Sequence, residues 1–173
     1  MFMKYTKILF PILMLAILFS ACRPDGFKEI GESRDIPASM GGVWKLTKVI
    51  QKDEESARKG FPYSELDLTT VFSYTQFSLT LNVDNNLSPS TFTSTPGSSP
   101  DIIGLTSGTW KVDNAAAPTK IDFTQGATTS SVTLGSYPVG GNTNLKFRVE
   151  KRDADPAANN KLLISYTYEF TKQ

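Results

Sequence analysis

"QFSLTLNVDNN", residues 76–86, alternates Phe77, Leu79, Leu81 and Val83 with Gln76, Ser78, Thr80 and Asn82. A period of two sends successive side chains to opposite faces, so this stretch predicts a β-strand with one dry and one wet face. Asn85 and Asn86 tolerate positive φ and suit a hairpin turn before "LSPSTFT". The alternation returns in "NLKFRVE" (144–150), with Leu145, Phe147 and Val149 on one side, and in "KLLISYTYEF" (161–170), with Leu162, Ile164, Tyr166, Tyr168 and Phe170 aligned. "KRDADPAANN" between these two is a hairpin loop of Asp, Pro and Asn. "VWKLTKVI", "SGTWKVD", "TKIDFT" and "SSVTLGS" are shorter strand segments bounded by turn residues. Roughly eight closely spaced strands predict an all-β fold, an antiparallel barrel or sandwich. The one helical segment, "DEESARK" (53–59), has no apolar face. Residues 88–107, rich in Ser, Thr, Pro and Gly, read as one long mobile connection of the kind that forms lids and binding loops.

The first residues carry a different message. Lys4 and Lys7 precede an uncharged apolar run from Ile8 to Phe19, and Ser20-Ala21-Cys22 follows. The run is shorter than the roughly 20 residues that a membrane-spanning helix needs, and Pro11 interrupts it, so it reads as a removable signal over residues 1–21. Small residues directly before a cysteine resemble the lipobox of bacterial lipoproteins. The resemblance implies a diacylglycerol on Cys22, the only cysteine in the chain. Two or more acyl chains, at about 0.8 kcal/mol per buried methylene, hold a protein on a bilayer. Residues 22–40 then serve as a lipidated, flexible tether, and residues 41–173 as the folded domain. Arg23 supplies no aspartate retention signal, which by resemblance to other lipoproteins points to the outer membrane of the cell envelope.

Removing residues 1–21 takes two of the 18 basic residues, so the balance against 17 acidic ones moves from +1 to −1. Scattered charge of this kind excludes a nucleic-acid surface, which needs clustered Lys and Arg. With Cys22 acylated no disulfide is available, and the absence of histidine closes Ser-His-Asp triads, His-based acid/base catalysis and His-containing zinc sites. No cofactor and no metal site is expected.

"GGVWKLT" and "SGTWKVD" hold the only two tryptophans, each two residues after a glycine. Glycine permits a bend or close backbone approach, and the indole fills a broad part of a core. The doubling suggests two related strand starts at one end of a barrel. Gly42-Val43-Trp44 resembles the G-x-W signature of lipocalins, and with Gly108-Thr109-Trp110 the chain is similar over about residues 41–172 to lipocalin-like domains of bacterial lipoproteins. The resemblance implies an eight-stranded lipocalin-like barrel, with the first tryptophan across its closed end and an open end that admits a small ligand. The chain departs from the family in lacking a T-D-Y motif and the last-strand arginine that covers the tryptophan, with Lys161 and Lys172 there instead. A smaller barrel filled by its own side chains fits the same residues.

Other patterns are weaker. Ser56-x-x-Lys59 lacks the partner motifs of serine acyl-transferases. Asp153, Asp155, Asn159 and Asn160 suit a turn better than a calcium loop, and Glu54 and Glu55 sit in a charge run. Tyr63, Tyr74 and Tyr137, beside Pro or Ser in loops, are the candidate ligand-stacking residues. The sequence thus predicts a membrane-anchored, non-catalytic lipoprotein whose barrel binds a small apolar molecule or a glycan. The alternative is an envelope interaction module, an accessory or inhibitor subunit, with a filled core. An accessible apolar cavity would mark the first, and a solid core with an exposed apolar patch the second.

Overall fold

The computed structural model describes residues 35–139, 142–155, 157 and 159–173; the expected signal segment, Cys22 and the tether up to residue 34 lie outside them. Among the described residues nine strands run β1 (Gly42–Asp53), β2 (Glu65–Asp67), β3 (Ser78–Val83), β4 (Pro89–Thr95), β5 (Ser107–Val112), β6 (Lys120–Gln125), β7 (Thr128–Ser136), β8 (Asn144–Arg152) and β9 (Leu162–Lys172). Two short helices, α1 (Ile36–Met40) and α2 (Glu54–Arg58), flank β1. From β3 onward each strand pairs antiparallel with the next, and β9 returns to β1, so β1 and β3 to β9 close an eight-stranded barrel. The all-β antiparallel barrel expected from the alternation is the fold. β2 is additional: β1 gives Gly42–Lys45 to β3 and Ile50–Lys52 to β2 along the same edge.

The register explains the filling of the interior. A bulge after Leu46 in β1 lets Trp44, Leu46 and Val49 all point inward although their spacing is not strictly two. Leu145, Phe170 and Leu46 pair across β8, β9 and β1, and Leu134, Phe147, Tyr168 and Val49 form the next row outward. Five phenylalanines meet edge-on or tilted across the middle. Phe92–Phe123 centroids lie 4.8 Å apart, Phe123–Phe147 6.2 Å, Phe147–Phe170 4.9 Å and Phe77–Phe170 6.0 Å. All five are fully buried. Offset aromatic pairs of this kind add about 0.5–1.5 kcal/mol each beyond the area they bury.

One end of this barrel is closed by the chain itself. α1 is capped by Asp35, whose Oδ1 accepts from Ala38 N–H at 3.0 Å, and it drives Ile36 and Met40 into the core. Ile36 and Met40 of α1 thus pack with the barrel core. Ser39 Oγ donates to the Pro138 carbonyl at 2.7 Å and ties α1 to the β7–β8 turn. Trp44 Nε1–H donates to the Met40 carbonyl at 2.8 Å, and Lys172 Nζ stands 5.4 Å over the indole. A last-strand lysine thus covers the first-strand tryptophan through a cation–π contact.

Two expectations are corrected. The stretch 88–107 is not one long mobile connection. Pro89–Thr95 is strand β4, with Phe92 and Ser94 inward, because Thr and Phe suit a half-buried pleat and proline is tolerated as a first strand residue. Only residues 96–106 connect β4 to β5, and Ile103 and Leu105 anchor them to the core. The two Gly-x-Trp elements also do not start at one end, since β1 and β5 run in opposite directions around the barrel. Both indoles nonetheless reach the closed half: Trp110 Nε1–H donates to the carbonyl of Asn82, near the end of β3, at 2.7 Å. Gly108 answers a separate need. At φ +153°, a Cβ there would lie 1.9 Å from the Thr124 carbonyl oxygen across the β5–β6 pair.

Candidate functional site

The strands differ in length, and that difference builds the site. β1, β7, β8 and β9 are 12, 9, 9 and 11 residues long, whereas β3 to β6 have 6 or 7. The long side overhangs the core at the end opposite α1. Beyond the row that ends the core, β2, β1, β9 and β8 place Leu66, Gln51, Tyr166 and Val149 side by side, and the next row holds Asp53, Ile164 and Lys151. Facing this overhang are the β2–β3 segment, with Leu68, Phe72 and Tyr74, and the β4–β5 connection, with Asp101 and Ile102. Between them lies an open cleft of about 420 Å³, within the roughly 300–1,000 Å³ typical of small-molecule sites.

The floor and wall of the cleft are aromatic. Tyr166 and Tyr168 lie nearly parallel, 6.3 Å apart at 20°, and Tyr74 meets Tyr168 edge-on at 6.0 Å, as does Phe72 with Tyr74. Tyr168 and Tyr74 are buried, Tyr166 is half-buried and Phe72 is half exposed. Burial holds the Tyr168 hydroxyl well above its ordinary pKa, with Tyr74 and Tyr166 adding to the effect, and burial also raises Tyr74. Both hydroxyls are protonated at neutral pH. Polar groups sit toward the rim: the Gln51 amide, the Lys151 ammonium and the Asp101 carboxylate. Asp101 Oδ1 accepts from the backbone N–H of Ile103 at 3.0 Å and Gly104 at 2.9 Å, which fixes the loop that forms this wall. The chemistry on offer is stacking plus hydrogen bonding at a wet edge.

Of the tyrosines singled out in the sequence, Tyr74 alone lines this cleft. Tyr63 is 93 % exposed in the connection before β2. Tyr137 packs against the core in the β7–β8 turn, where Asn142 Nδ2 donates to its carbonyl, at the α1 end. Tyr166, Tyr168, Phe72 and Gln51 were not singled out. The one signal for Tyr166 and Tyr168 was the length of "KLLISYTYEF", whose leading inward residues outrun the shorter strands; Phe72 and Gln51 lie outside that stretch. A second hollow of about 380 Å³ at the closed end is lined by Asp35, Pro37, Leu87, Ser88, Pro89, Ala115 and Ala116, and has no aromatic side chain in its lining. Trp44 and Trp110 are buried core, and Gly42 and Gly108 are backbone devices at their strand starts.

The charged clusters have structural partners. Glu54 Oε1 accepts from Ser165 Oγ at 2.6 Å and from Arg148 Nη2 at 3.1 Å, pinning α2 to the outside of β9 and β8. The Ser165 hydrogen bond is the main cause that holds the Glu54 carboxyl below its usual range. Glu55 is drawn down to about 2 by Lys161, Lys59 and Arg58. Ser56 donates its N–H to the capping Asp53 and Lys59 pairs with Glu55 at 3.0 Å, so the S-x-x-K pair serves helix ends. Asp153 and Asp155 each accept from a backbone N–H two residues on, and Asn159 and Asn160 have φ of 51° and 56°, which is turn chemistry. Among the described residues no group of His, Cys, Asp and Glu is arranged to hold a metal, and no helix is long and apolar enough to cross a membrane.

A comparison with curated proteins finds no match, and a comparison with solved structures finds none either. The sequence pattern of a family described as a domain of unknown function (DUF5004) matches residues 21–129. The matched stretch runs from the expected lipidation site to the start of β7, including Gly42-x-Trp44, α1 and the Gln51, Tyr74 and Ile102 side of the cleft. On that match over more than half of its length, the chain belongs to the DUF5004 family.

Proposed function

We propose that this protein is a lipid-anchored envelope lipoprotein, at the outer membrane, whose lipocalin-like barrel is a non-catalytic binding module with its ligand site in the open-end cleft. The observation that carries this reading is the aromatic, polar-rimmed cleft of about 420 Å³ standing directly on a core filled by phenylalanine. A calyx-type carrier needs its interior for the ligand; here that space belongs to Phe92, Phe123, Phe147 and Phe170, so recognition falls to the rim. The Cys22 lipobox supports the anchor, and the scattered charges argue against a nucleic-acid partner.

The reading is tested in two measurements on protein extracted from membranes. Mass analysis of the amino-terminal peptide should show Cys22 as the first residue with a diacylglycerol and an acyl group; a bare thiol contradicts the anchor, and Cys22→Ser should move the protein to the soluble fraction. Amide chemical shifts followed during titration with fractionated envelope extract should move at residues 51, 68–74, 101–102, 149–151 and 166–168. Shifts confined to the 380 Å³ hollow at the closed end would contradict the placing of the site.

The filled core also favours a second reading, an interaction module. Phe61, Leu66, Val71 and Phe72, each about half exposed, crowd the segment between α2 and β3 beside the cleft. In that case titrations with small molecules leave the cleft unmoved, and a macromolecular partner buries these residues.

A further inference from the structure

We infer that the ligand of the open-end cleft is a neutral glycan, one pyranose of which stacks on Tyr166. The inference rests on the reading of this cleft as a binding site. It follows from which groups share the surface and how deeply each is buried.

Gln51 and Tyr166 are paired across β1 and β9, so an amide and a phenol ring stand side by side on one wall, both half-buried. Tyr168 backs Tyr166 at 20°, and buried Tyr74 fixes Tyr168 from the side, so the Tyr166 ring is presented on a rigid support. A wholly apolar ligand would cover the Gln51 amide and strip it of water without a partner, a cost of about 1–3 kcal/mol per buried polar group. A sugar ring does not impose that cost. Its C–H face lies on an aromatic ring while its equatorial hydroxyls, donors and acceptors at once, reach groups at the edge.

The charges indicate that the glycan is neutral. Lys151 and Asp101 are both exposed at the rim and carry opposite signs, so the cleft has no net charge preference. Exposed ions contribute little to holding a counter-charge, which leaves neither a carboxylate nor an ammonium on the ligand well paid for in lost hydration. They remain useful to hydroxyls, Lys151 as donor and Asp101 as acceptor. Because the cleft is open along the rim instead of enclosed, further sugar units can continue outward past Lys151.

The test is calorimetric titration of the purified full chain with maltohexaose, cellohexaose and a linear manno-oligosaccharide, and in parallel with palmitate and the tripeptide Ala-Tyr-Ala. At least one oligosaccharide should bind saturably at up to about 10 mM, with Kd about tenfold or more weaker in Tyr166→Ala and in Gln51→Ala. Tyr166→Phe should retain most of the affinity, and Tyr63→Ala all of it. Near-UV circular dichroism of Trp44 and Trp110 checks that each variant is folded, and Gln51→Ala, away from the packed rows, carries the test should Tyr166→Ala unfold. Binding of palmitate or the tripeptide that depends on Tyr166, without oligosaccharide binding, overturns the glycan assignment and leaves the cleft as the site. Binding of none of the probes overturns the assignment and the cleft reading together.

Discussion

The two ends of the barrel are built from the same strands and differ in nearly everything else. At the closed end, Met40, Trp44 and the α1 plug meet the terminal strand residues, and both buried indole N–H groups donate to a backbone carbonyl. At the open end, β1, β8 and β9 outrun β3 to β6, and beyond the core row Gln51, Tyr166 and Lys151 stand beside Val149 and Ile164. The lesson is one of strand length: where all eight strands are present the inward face is mostly apolar, and beyond the ends of the short strands β3 to β6 it faces water and takes polar and aromatic residues as well.

The largest effect is expected where both ends depend on the middle. Phe147→Ala removes a ring that touches both Phe123 and Phe170, and it should cost about 3–5 kcal/mol in a urea melt. A cost under about 1 kcal/mol would mean the barrel is not filled as described. At the closed end, Trp44→Phe leaves the Met40 carbonyl without its donor and thins the contact with Lys172, for about 1–3 kcal/mol. At the open end, Tyr166→Ala should cost about 1 kcal/mol or less because the ring is half-buried, while its effect falls on ligand binding. Equal destabilisation by these last two variants would erase the distinction between the ends.

The smallest effect concerns pH. Glu54 and Glu55 have carboxyl pKa values depressed by folding, so their contribution is fully present above the unfolded value of 4.5. It is lost as pH falls from there toward about 2, the folded value at Glu55. Acidification through that window should loosen α2 from β9 and raise amide exchange at residues 55–59 before the barrel signals change. Earlier loss of the Trp44 signal would place the acid-sensitive contacts at the wrong end.

How legible this was follows from the range of each interaction. The strands show in the sequence because Leu79, Leu81, Leu145 and Phe147 obey a local period, and one-sided burial enforces it. α1 does not show: five residues containing Pro37 have no visible period, and Ile36 and Met40 are buried only because a barrel end lies beneath them. β2 is three exposed residues whose strand conformation is imposed by β1. The covering of Trp44 by Lys172 joins the two ends of the domain, 128 positions apart, through the barrel's closure. The cleft is the least legible part, since Gln51 and Tyr166 become neighbours only through the β1–β9 register, and a bulge after Leu46 sets which residues face inward. Tyr74 was within reach because it stands alone in a turn-rich segment. Tyr166 was hidden within a strand that reads as core along its whole length.

Residue-resolved native-state hydrogen exchange tests the division between the ends most directly. The account predicts the slowest amides at residues 44–46, 121–123, 145–147 and 168–170, exchanging only on global unfolding, with residues 66–76 and 101–104 opening at clearly lower free energy. Uniform protection around both ends, or fast exchange at 44–46 with α1 released, would contradict it.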